Sequence, residues 1–478
     1  MHGSATAAAE RFSTAEVAKM AGVHRDTLLR WLRTNLIPEP DRDRHGWRYF
    51  NQEQADAVRA FASSSAEPGS PSIVRPAGLT SLDSIGWDFD GAKTSYLTHG
   101  IHPYPAKYIP QIPNALIQEL SAVGDVVADI FCGSGTTLVE ALTLKRHAVG
   151  IDANPLACLI SKAKTGFISE QDASALLEIA IRARGMGEKL AGGSNGEDMS
   201  FKQEELFPSP TFVSQAWRPR NDALQFWFES FAIEELAECL SWCRTLDSES
   251  AETLALTAFS SIVVTVSRQD SDTRYVRREK QLTKGEVFRR FARALEQVTR
   301  SAVEFSELVE ERFRCQILQA DVLLKPAVEL LDLVVCSPPY PNAFSYHLYH
   351  MTRMLWLGMD QPRFKKEEIG SHRKYSNPSK NRATADTFRT EFSAIMDWLG
   401  GRLKKGGYAC FVVGDSTLKG ERVNNADLIA EASRSAGFVE VRRIHRTLQT
   451  TKKSFNPVIG KIKEEKILIL QNQEGALK

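Results

Sequence analysis

The chain has 478 residues, and its 60 basic and 59 acidic side chains give a net charge of +1. That length is too great for one ordinary core, so two or three domains are expected. The charge balance excludes a protein that is basic throughout, and any surface for nucleic acid must be local. No apolar run approaches the roughly 18 residues that span a bilayer, and the first residues lack a secretory signal. We therefore expect a cytoplasmic protein that does not contact membranes.

The seven cysteines predict neither disulfides nor a metal site. They are scattered along the chain, with no C-x-x-C pair and no adjoining cluster of cysteine and histidine. Metal sites and disulfide frameworks depend on such spacings. No metal is expected, and the cysteines are interpreted as packing residues.

Residues 1–62 form the first predicted domain. Ser13, followed three residues later by Glu16, is the capping-box pattern that begins a helix. A turn at 21–23 leads to a second helix over about 24–34, and then to a short strand pair and a closing helix. This order resembles the MerR-type winged helix-turn-helix, with the recognition helix second. The resemblance implies DNA contacts from the polar face of that helix, namely Arg25, Thr27 and Arg30. A small helical bundle used for protein contacts is the open alternative.

A flexible linker over 63–80 is predicted from its Ser, Pro and Gly content. Beyond it, an α/β pattern occurs in two blocks, 81–167 and 306–478, which together supply about seven strands. Between them, residues 168–305 show helical spacing, with segments such as "ALQFWFESFAIEELAECLSWCR". The predicted fold class is α/β: a Rossmann-like seven-stranded sheet with a helical insertion, plus the small N-terminal domain.

A glycine turn follows the first strand of the sheet, in the string "DIFCGSGTT" that begins at Asp129. It lacks the third glycine of a dinucleotide fingerprint and the lysine of a P-loop, so phosphate binding is not favoured. Asp152 ends the next strand, where an acidic side chain can accept hydrogen bonds from ribose hydroxyls. A nucleoside without a triphosphate is the predicted ligand.

Three strings together resemble motifs of the S-adenosylmethionine-dependent DNA amino-methyltransferases, particularly the cytosine-N4 branch. They are the glycine turn, "SPPY" at 337–340, and "THGIHPYPAKYIPQIPNALI" upstream. The resemblance covers roughly 87–165 and 314–470, and it implies S-adenosylmethionine as cofactor and double-stranded DNA as substrate. It also implies that a large specificity region, here 168–305, lies between the glycine and SPPY motifs.

The resemblance assigns roles to individual positions. A cofactor site is implied in three parts: the methionine end, the ribose and adenine end, and a closing N-terminal motif that also contains His102. The methionine end would be lined by Asp129, Phe131, Gly133, Ser134, Gly135 and Thr136. The ribose would be contacted by Asp152 and the adenine by Asp321. The closing N-terminal motif would contribute Tyr104 and Lys107. The catalytic motif is Ser337, Pro338, Pro339 and Tyr340.

The SPPY motif suits methylation of an exocyclic amine. Such a nitrogen is a poor nucleophile because its lone pair is delocalised, so acceptors must hold its hydrogens while it faces the methyl donor. The Ser337 hydroxyl and the Pro338 carbonyl are acceptors, the two prolines restrict the backbone, and Tyr340 offers a face for a flipped base. Direct displacement needs no covalent intermediate. Cytosine-C5 methylation needs a Pro-Cys thiolate, and the chain has no Pro-Cys dipeptide.

The function predicted is cytosine-N4 methylation of duplex DNA, because serine precedes Pro-Pro-Tyr. Adenine-N6 methylation is the nearest alternative, an RNA amino-methyltransferase is less favoured, and a regulator without enzymatic activity is least favoured. A restriction-modification or related defence system would supply a cognate endonuclease acting separately. Basic stretches at 267–290 and 363–382 are predicted to contact DNA through Arg274, Arg277, Arg278, Arg373 and Lys374. A solvated helix face is the alternative for the first stretch.

Overall fold

A computed structural model describes residues 12–23, 28, 31–32, 37–38, 40–42, 48–64, 78–192, 212–220, 222–341, 344–376, 383–418, 420–448 and 464–475. The chain divides into two units, Met1–Ile73 and Val74–Lys478. The division falls within the predicted linker. No described helix is long and apolar enough to cross a membrane.

The first described helix of the smaller unit begins with the predicted capping box. The Ser13 N–H donates to the Glu16 carboxylate at 2.7 Å, and the Glu16 N–H donates to the Ser13 hydroxyl at 3.3 Å. Three short antiparallel strands pair in the order β1-β3-β2, and Leu28, Trp31 and Leu32 are buried. Arg25, Thr27 and Arg30 lie outside the described residues. The elements are β1 (Phe12–Ser13), α1 (Thr14–Met20), β2 (Asp41–Arg42), β3 (Arg48–Phe50) and α2 (Gln52–Ser64).

Seven strands form the sheet of the larger unit, as predicted. Their order is β13-β14-β10-β9-β4-β5-β8, and β14 is antiparallel to both of its neighbours while the five strands from β10 to β8 pair in parallel. The chain leaves β4 toward β5 on one side and returns to β9 on the other, so the carboxyl ends of these strands border a crevice. The strands are β4 (Val126–Asp129), β5 (His147–Asp152), β8 (Cys315–Gln319), β9 (Leu331–Cys336), β10 (Leu403–Gly414), β13 (Phe438–Thr447) and β14 (Glu464–Asn472).

Helices cover both faces of this sheet. Leu116 and Leu138 pack with Val335 on one face, and Phe392 packs with Val334 on the other. Parallel strands buried on both faces are apolar along their whole length, which explains the continuous "LVVC" of β9. The helices outside the insertion are α3 (Gln111–Leu120), α4 (Thr136–Thr143), α5 (Pro155–Thr165), α11 (Tyr346–Tyr349), α12 (Met351–Leu357), α13 (Gln361–Glu367), α14 (His372–Ser376), α15 (Ala385–Gly400) and α16 (Asn425–Ser433).

The insertion between β5 and β8 is mainly helical and has its own apolar core. One expectation needs correction: the predicted run over "ALQFWFESFAIEELAECLSWCR" breaks at Phe228, which is extended. The alternative of a solvated helix face does not hold for the whole stretch 267–290, because this stretch contains a β-hairpin. A second short hairpin follows β10. The insertion comprises α6 (Glu170–Gly192), α7 (Ala223–Trp227), α8 (Ser230–Cys243), α9 (Glu249–Val263), β6 (Gln269–Ser271), β7 (Arg274–Arg277) and α10 (Glu286–Leu308); the second hairpin is β11 (Ser416–Leu418) and β12 (Glu421–Val423).

Candidate active site

A cavity of about 410 Å³ lies at the carboxyl ends of the central strands. It brings together three segments that are far apart in sequence: the glycine turn after β4, the end of β5, and the SPPY loop after β9. Most of the predicted site residues line it, namely Tyr104, Lys107, Phe131, Gly133, Ser134, Thr136, Asp152, Asp321, Ser337, Pro338, Pro339 and Tyr340.

The glycine turn depends on two left-handed glycines. Gly133 has a φ of 49° and Gly135 a φ of 77°, a region that other residues rarely adopt. A Cβ on Gly135 would lie 2.9 Å from the Ser161 hydroxyl, so space as well as conformation requires glycine there. Gly133 lines the cavity opposite the ring of Tyr104, whereas Gly135 lies behind the lining and begins α4.

Asp152 holds the glycine turn against the end of β5. One carboxylate oxygen accepts the Gly133 N–H at 2.8 Å, and the other accepts the Asn154 N–H at 2.8 Å. Burial raises the pKa of Asp152 to about 6, although both hydrogen bonds lower it. Each carboxylate oxygen has two acceptor sites, so Asp152 can still accept hydrogen bonds from a ligand in the cavity.

Asp129 supports the turn from behind and is not part of the lining. It is 1% exposed, and its oxygens accept the Phe131 N–H at 3.1 Å, the Thr137 hydroxyl at 2.7 Å and the Tyr108 hydroxyl at 3.4 Å. Burial raises the pKa of Asp129 to about 7. The sequence placed Asp129 and Gly135 in the cofactor site, but neither residue lines the cavity.

The N-terminal motif and Asp321 form the other walls. Lys107 donates to the His99 carbonyl oxygen at 2.8 Å, and burial lowers its pKa. Asp321 accepts the Leu323 N–H at 2.9 Å, and burial raises its pKa. His102 differs from its neighbours, because it is buried, bonds to the Ser260 hydroxyl at 3.0 Å, and does not line the cavity.

The SPPY loop leaves the sheet directly after Cys336. Pro338 is buried, Ser337 and Tyr340 are half-buried, and burial raises the pKa of the Tyr340 phenol. Gly370, with a φ of 73°, presses against this loop: a Cβ there would lie 2.8 Å from the Tyr340 carbonyl oxygen. A side chain at position 370 would therefore force Tyr340 or the backbone at 370 to shift.

Several lining residues escaped the sequence analysis. Tyr346 stacks on Tyr104 with ring centroids 5.7 Å apart, and Glu368 accepts the Tyr346 N–H at 2.6 Å and bonds to His347 Nδ1 at 2.5 Å. Glu465, at the start of β14, also lines the cavity. These residues belong to no local pattern, and only the strand order indicates that the start of β14 reaches this edge.

The predicted DNA contacts outside the smaller unit lie on the surface and are largely paired with acidic residues. In the β6–β7 hairpin, Arg274 and Arg278 both pair with Asp270, at 3.4 and 3.3 Å, and Arg277 pairs with Glu279 at 2.6 Å. The arginine side chains remain between 41% and 73% exposed.

The second predicted basic stretch is described only in part. Lys374 pairs with Glu391 at 2.7 Å, and the Arg373 side chain lies outside the described residues. Among the residues that are described, no cluster of His, Cys, Asp or Glu could hold a metal ion.

Comparisons with known proteins are consistent with this arrangement. Residues 46–163, which contain the glycine turn and Asp152, match the model of a family described as DNA methylase. Residues 13–50 match the model of the MerR family of regulatory proteins. These segments cover only part of the chain.

Curated relatives include two Type II methyltransferases. M.MvaI of Kocuria varians is 26% identical over 288 residues, which are 57% of this chain and 60% of that protein. M.MjaII of Methanocaldococcus jannaschii is 46% identical over 66 residues, 14% of this chain and 12% of that protein. The chain thus matches less than two thirds of the length of either relative.

Solved structures that resemble the chain include two methyltransferases. The rRNA methyltransferase AviRa of Streptomyces viridochromogenes has a TM-score of 0.31 at 10% identity and covers 80% of this chain and 95% of its own. A TehB-like SAM-dependent methyltransferase of Corynebacterium glutamicum has a TM-score of 0.26 at 7% identity and covers 75% of this chain and 86% of its own. Both TM-scores are too low to support an argument about the fold. The strand order described above is based on the hydrogen bonds between the strands. In sequence, the segment that carries the glycine turn is similar to the DNA methylases.

Proposed function

We propose that the protein is an S-adenosylmethionine-dependent, site-specific DNA amino-methyltransferase that acts on the N4 amine of cytosine in duplex DNA. The observation that carries the proposal is the single cavity shared by the glycine turn, Asp152 and the SPPY loop. The residues expected to bind a nucleoside-type ligand and those expected to accept hydrogen bonds from an exocyclic amine therefore line the same cavity. The DNA methylase match over 46–163 and the Type II methyltransferase relatives support the same chemistry.

The lining residues suit S-adenosylmethionine. The cavity volume is within the range of about 300–1,000 Å³ typical of small-molecule sites. Asp152 would accept from ribose hydroxyls and Asp321 from the adenine amine, while Gly133 and Ser134 leave room for the methionine end. When bound, the cofactor supplies an electrophilic methyl group on a sulfonium. Lys107 and Tyr104 would cover it from the N-terminal side.

The SPPY loop would position the amine. The Ser337 hydroxyl and the Pro338 carbonyl accept hydrogen bonds from its two hydrogens, which turns the nitrogen lone pair toward the methyl group. Because both prolines restrict the backbone, the acceptors need not reorganise during the reaction. Tyr340 would stack on the base after it leaves the duplex, since an enzyme cannot reach this nitrogen inside the stack.

The base assignment depends on serine as the first residue of the motif. Adenine presents the same amine and stacking face, so N6-methyladenine is the second candidate. Incubation with labelled S-adenosylmethionine and unmethylated DNA, digestion to nucleosides and mass spectrometry should give N4-methylcytosine. N6-methyladenine alone would overturn the base assignment. Transfer to tRNA with none to duplex DNA would overturn the DNA assignment.

The basic residues of the β6–β7 hairpin, Arg373 and Lys374, and the smaller unit would contact the DNA. The similarity of residues 13–50 to MerR regulators supports a DNA-binding role for that unit, with Arg25, Thr27 and Arg30 as its contacts. A full-length variant with Arg25→Ala and Arg30→Ala separates two roles. Unchanged methylation with lost binding to the protein's own promoter would indicate regulation; lost methylation would indicate target engagement.

The biological setting that fits these properties is a restriction-modification or related defence system in the cytoplasm. The Type II methyltransferase names of the relatives support this setting. A cognate endonuclease would act as a separate protein on the same DNA site. Genomic DNA methylated by this protein should resist that endonuclease, and cleavage of fully methylated sites would overturn the pairing.

A further inference from the structure

Glu465 lies at the level of the SPPY loop although it is more than a hundred residues away in sequence. In β10, Phe411 pairs with Cys336, the last residue of β9, and Gly414 pairs with Glu465 of β14. Gly414 is three residues beyond Phe411, so Glu465 lies beyond the end of β9, on the side where the SPPY loop leaves the sheet. Two strand spacings of roughly 4.8 Å separate β14 from β9. Both residues line the same cavity.

An arginine holds the Glu465 carboxylate in place. Arg446 is directly opposite Glu465 in the β13–β14 register, and its NH1 donates to Glu465 Oε2 at 2.6 Å. Arg446 is 5% exposed and also donates from Nε to the Trp87 carbonyl oxygen at 3.2 Å. The guanidinium is therefore fixed at two points. A carboxylate accepts up to about four hydrogen bonds, so Glu465 keeps acceptor capacity toward the cavity.

The charge of Glu465 reaches the SPPY tyrosine. Burial and then the Glu465 charge raise the pKa of Tyr340. Burial also raises the pKa of Glu465 itself, against the opposing effect of Arg446. The neighbouring charges are engaged elsewhere: Lys466 pairs with Asp415 at 2.9 Å, and Asp88 accepts the Thr447 N–H at 2.7 Å.

Other acidic groups near the loop are less suited to contact a substrate amine. Asp129 lies behind the lining, and the proposed function assigns the free acceptor sites of Asp152 and Asp321 to the cofactor. Glu367 pairs with Arg363 at 2.8 Å. Glu368 is tied to Tyr346 and His347. The Ser337 hydroxyl and the Pro338 carbonyl can accept a hydrogen bond but have little affinity for a proton, whereas a carboxylate can take one.

We propose that Glu465 is a further catalytic residue, which shares with the Ser337 hydroxyl one of the two hydrogens of the exocyclic amine of the flipped base and then receives that proton. This assignment rests on the proposed function. As the nitrogen–carbon bond forms and the sulfur–carbon bond breaks, the electron pair of the broken bond returns to sulfur. The nitrogen, now carrying a fourth bond and a positive charge, releases one proton to the Glu465 carboxylate. That proton passes to water when the product leaves.

The test is the pH dependence of kcat for Glu465→Gln at saturating S-adenosylmethionine, with unmethylated phage DNA as substrate. Glutamine keeps the size of the side chain and can still bond to Arg446, but it cannot take a proton. Wild-type kcat should fall at low pH as Glu465 becomes protonated. Glu465→Gln should lower kcat by roughly 10²-fold, the scale of a positioned proton acceptor, and should lose the low-pH decline. Its Kd for S-adenosylmethionine, measured by calorimetry, should not change.

Asp415→Asn is the matched control. Asp415 also forms a partly buried ion pair with a residue of β14, Lys466, but it does not line the cavity. This variant should keep both kcat and the low-pH decline. A Glu465→Gln protein with the wild-type pH profile would overturn the assignment, and a raised Kd for S-adenosylmethionine would place Glu465 on the cofactor instead. If the wild type methylates no DNA, the proposed function fails and this assignment with it; if the wild type is active, only the assignment is at stake.

Discussion

Charged side chains are held by different partners at the carboxyl ends of the sheet strands and in the β6–β7 hairpin. At the carboxyl ends of the sheet strands, Asp152 is half-buried and bonded to two backbone N–H groups. In the hairpin, Arg274 and Arg278 are exposed and share the carboxylate of Asp270. A backbone N–H group keeps its position in the folded chain. An exposed ion pair contributes at most about 1 kcal/mol, and its side chains can exchange partners. The first arrangement suits a fixed ligand site, and the second suits a surface on which phosphates replace carboxylates.

Replacing Asp152 with asparagine should disrupt the site at the carboxyl ends of the strands most severely and lower its affinity for S-adenosylmethionine. The amide has one acceptor oxygen, so either the Gly133 or the Asn154 N–H loses its partner. A buried donor without a partner costs about 1–3 kcal/mol, which corresponds to a loss of roughly 10- to 100-fold in affinity for S-adenosylmethionine. Calorimetric titration measures this change.

Asp332→Asn serves as the control for Asp152→Asn. Asp332 also accepts a backbone N–H, that of Val126, at 3.0 Å, and it pairs with Lys404 at 2.6 Å. Asp332 is the second residue of β9 and does not line the cavity. Its replacement should reduce stability without changing cofactor affinity. Equal losses of affinity in the two variants would contradict a local role for Asp152.

Gly370→Ala tests whether the SPPY loop is held as rigidly as the glycine turn. Alanine at a φ of 73° is strained, and its Cβ would also meet the Tyr340 carbonyl oxygen at 2.8 Å. We expect kcat to fall by about tenfold, since small displacements of positioning groups slow catalysis strongly, while cofactor affinity is retained. Single-turnover methylation and calorimetry separate the two quantities.

Gly358→Ala isolates the effect of backbone strain from that of the contact with Tyr340. Gly358 has a similar φ of 68°, but a Cβ there would have nothing within 4 Å. Both alanine variants should lose about 1–2 kcal/mol of stability from the left-handed backbone. Only Gly370→Ala should lose kcat, and a similar loss in Gly358→Ala would mean that strain alone explains the effect.

The fold was largely predictable because its signals are local. Short runs rich in apolar residues marked all seven strands of the sheet, and the pair Ser13 and Glu16 marked the start of α1. The β6–β7 hairpin was missed because its strands have three and four residues and are mainly polar. Its position depends on tertiary bonds, such as that from Gln269 Nε2 to the Tyr349 carbonyl at 3.0 Å, which no local pattern encodes.

The candidate site was predictable where the lining residues belong to a sequence motif. It was not predictable where residues reach the site only through the order of the strands. Gly133, Asp152 and Ser337 were found from their motifs. Glu465 and Gly370 were not, since the first reaches the cavity through strand pairing and the second through a close approach to Tyr340. Asp129 was expected in the cofactor site but does not line the cavity, because a motif shows which residues recur together but not which of them face the cavity.

Burial of acids at the sheet edge should appear as a pH dependence of stability. The pKa of Asp129 is about 7 in the folded chain and about 3.9 when unfolded. The folded state therefore binds more protons between these values, and stability falls as pH rises from about 4 to about 7. The slope from this group is at most about 1.4 kcal/mol per pH unit. Asp129→Asn should flatten the dependence of the urea-derived free energy of unfolding on pH. An unchanged slope would contradict the raised pKa.

Arg278→Ala should have the smallest effect, confined to DNA binding. The side chain is 73% exposed, so stability should change by less than about 0.5 kcal/mol. Loss of one phosphate contact should weaken DNA binding a few-fold and reduce the slope of log affinity against log salt by about 1. Arg312→Ala is the matched control, because Arg312 is 69% exposed, pairs with Glu310 at 2.7 Å and precedes β8 at the opposite end of the sheet. Equal salt slopes for the two variants would show that the hairpin does not hold DNA.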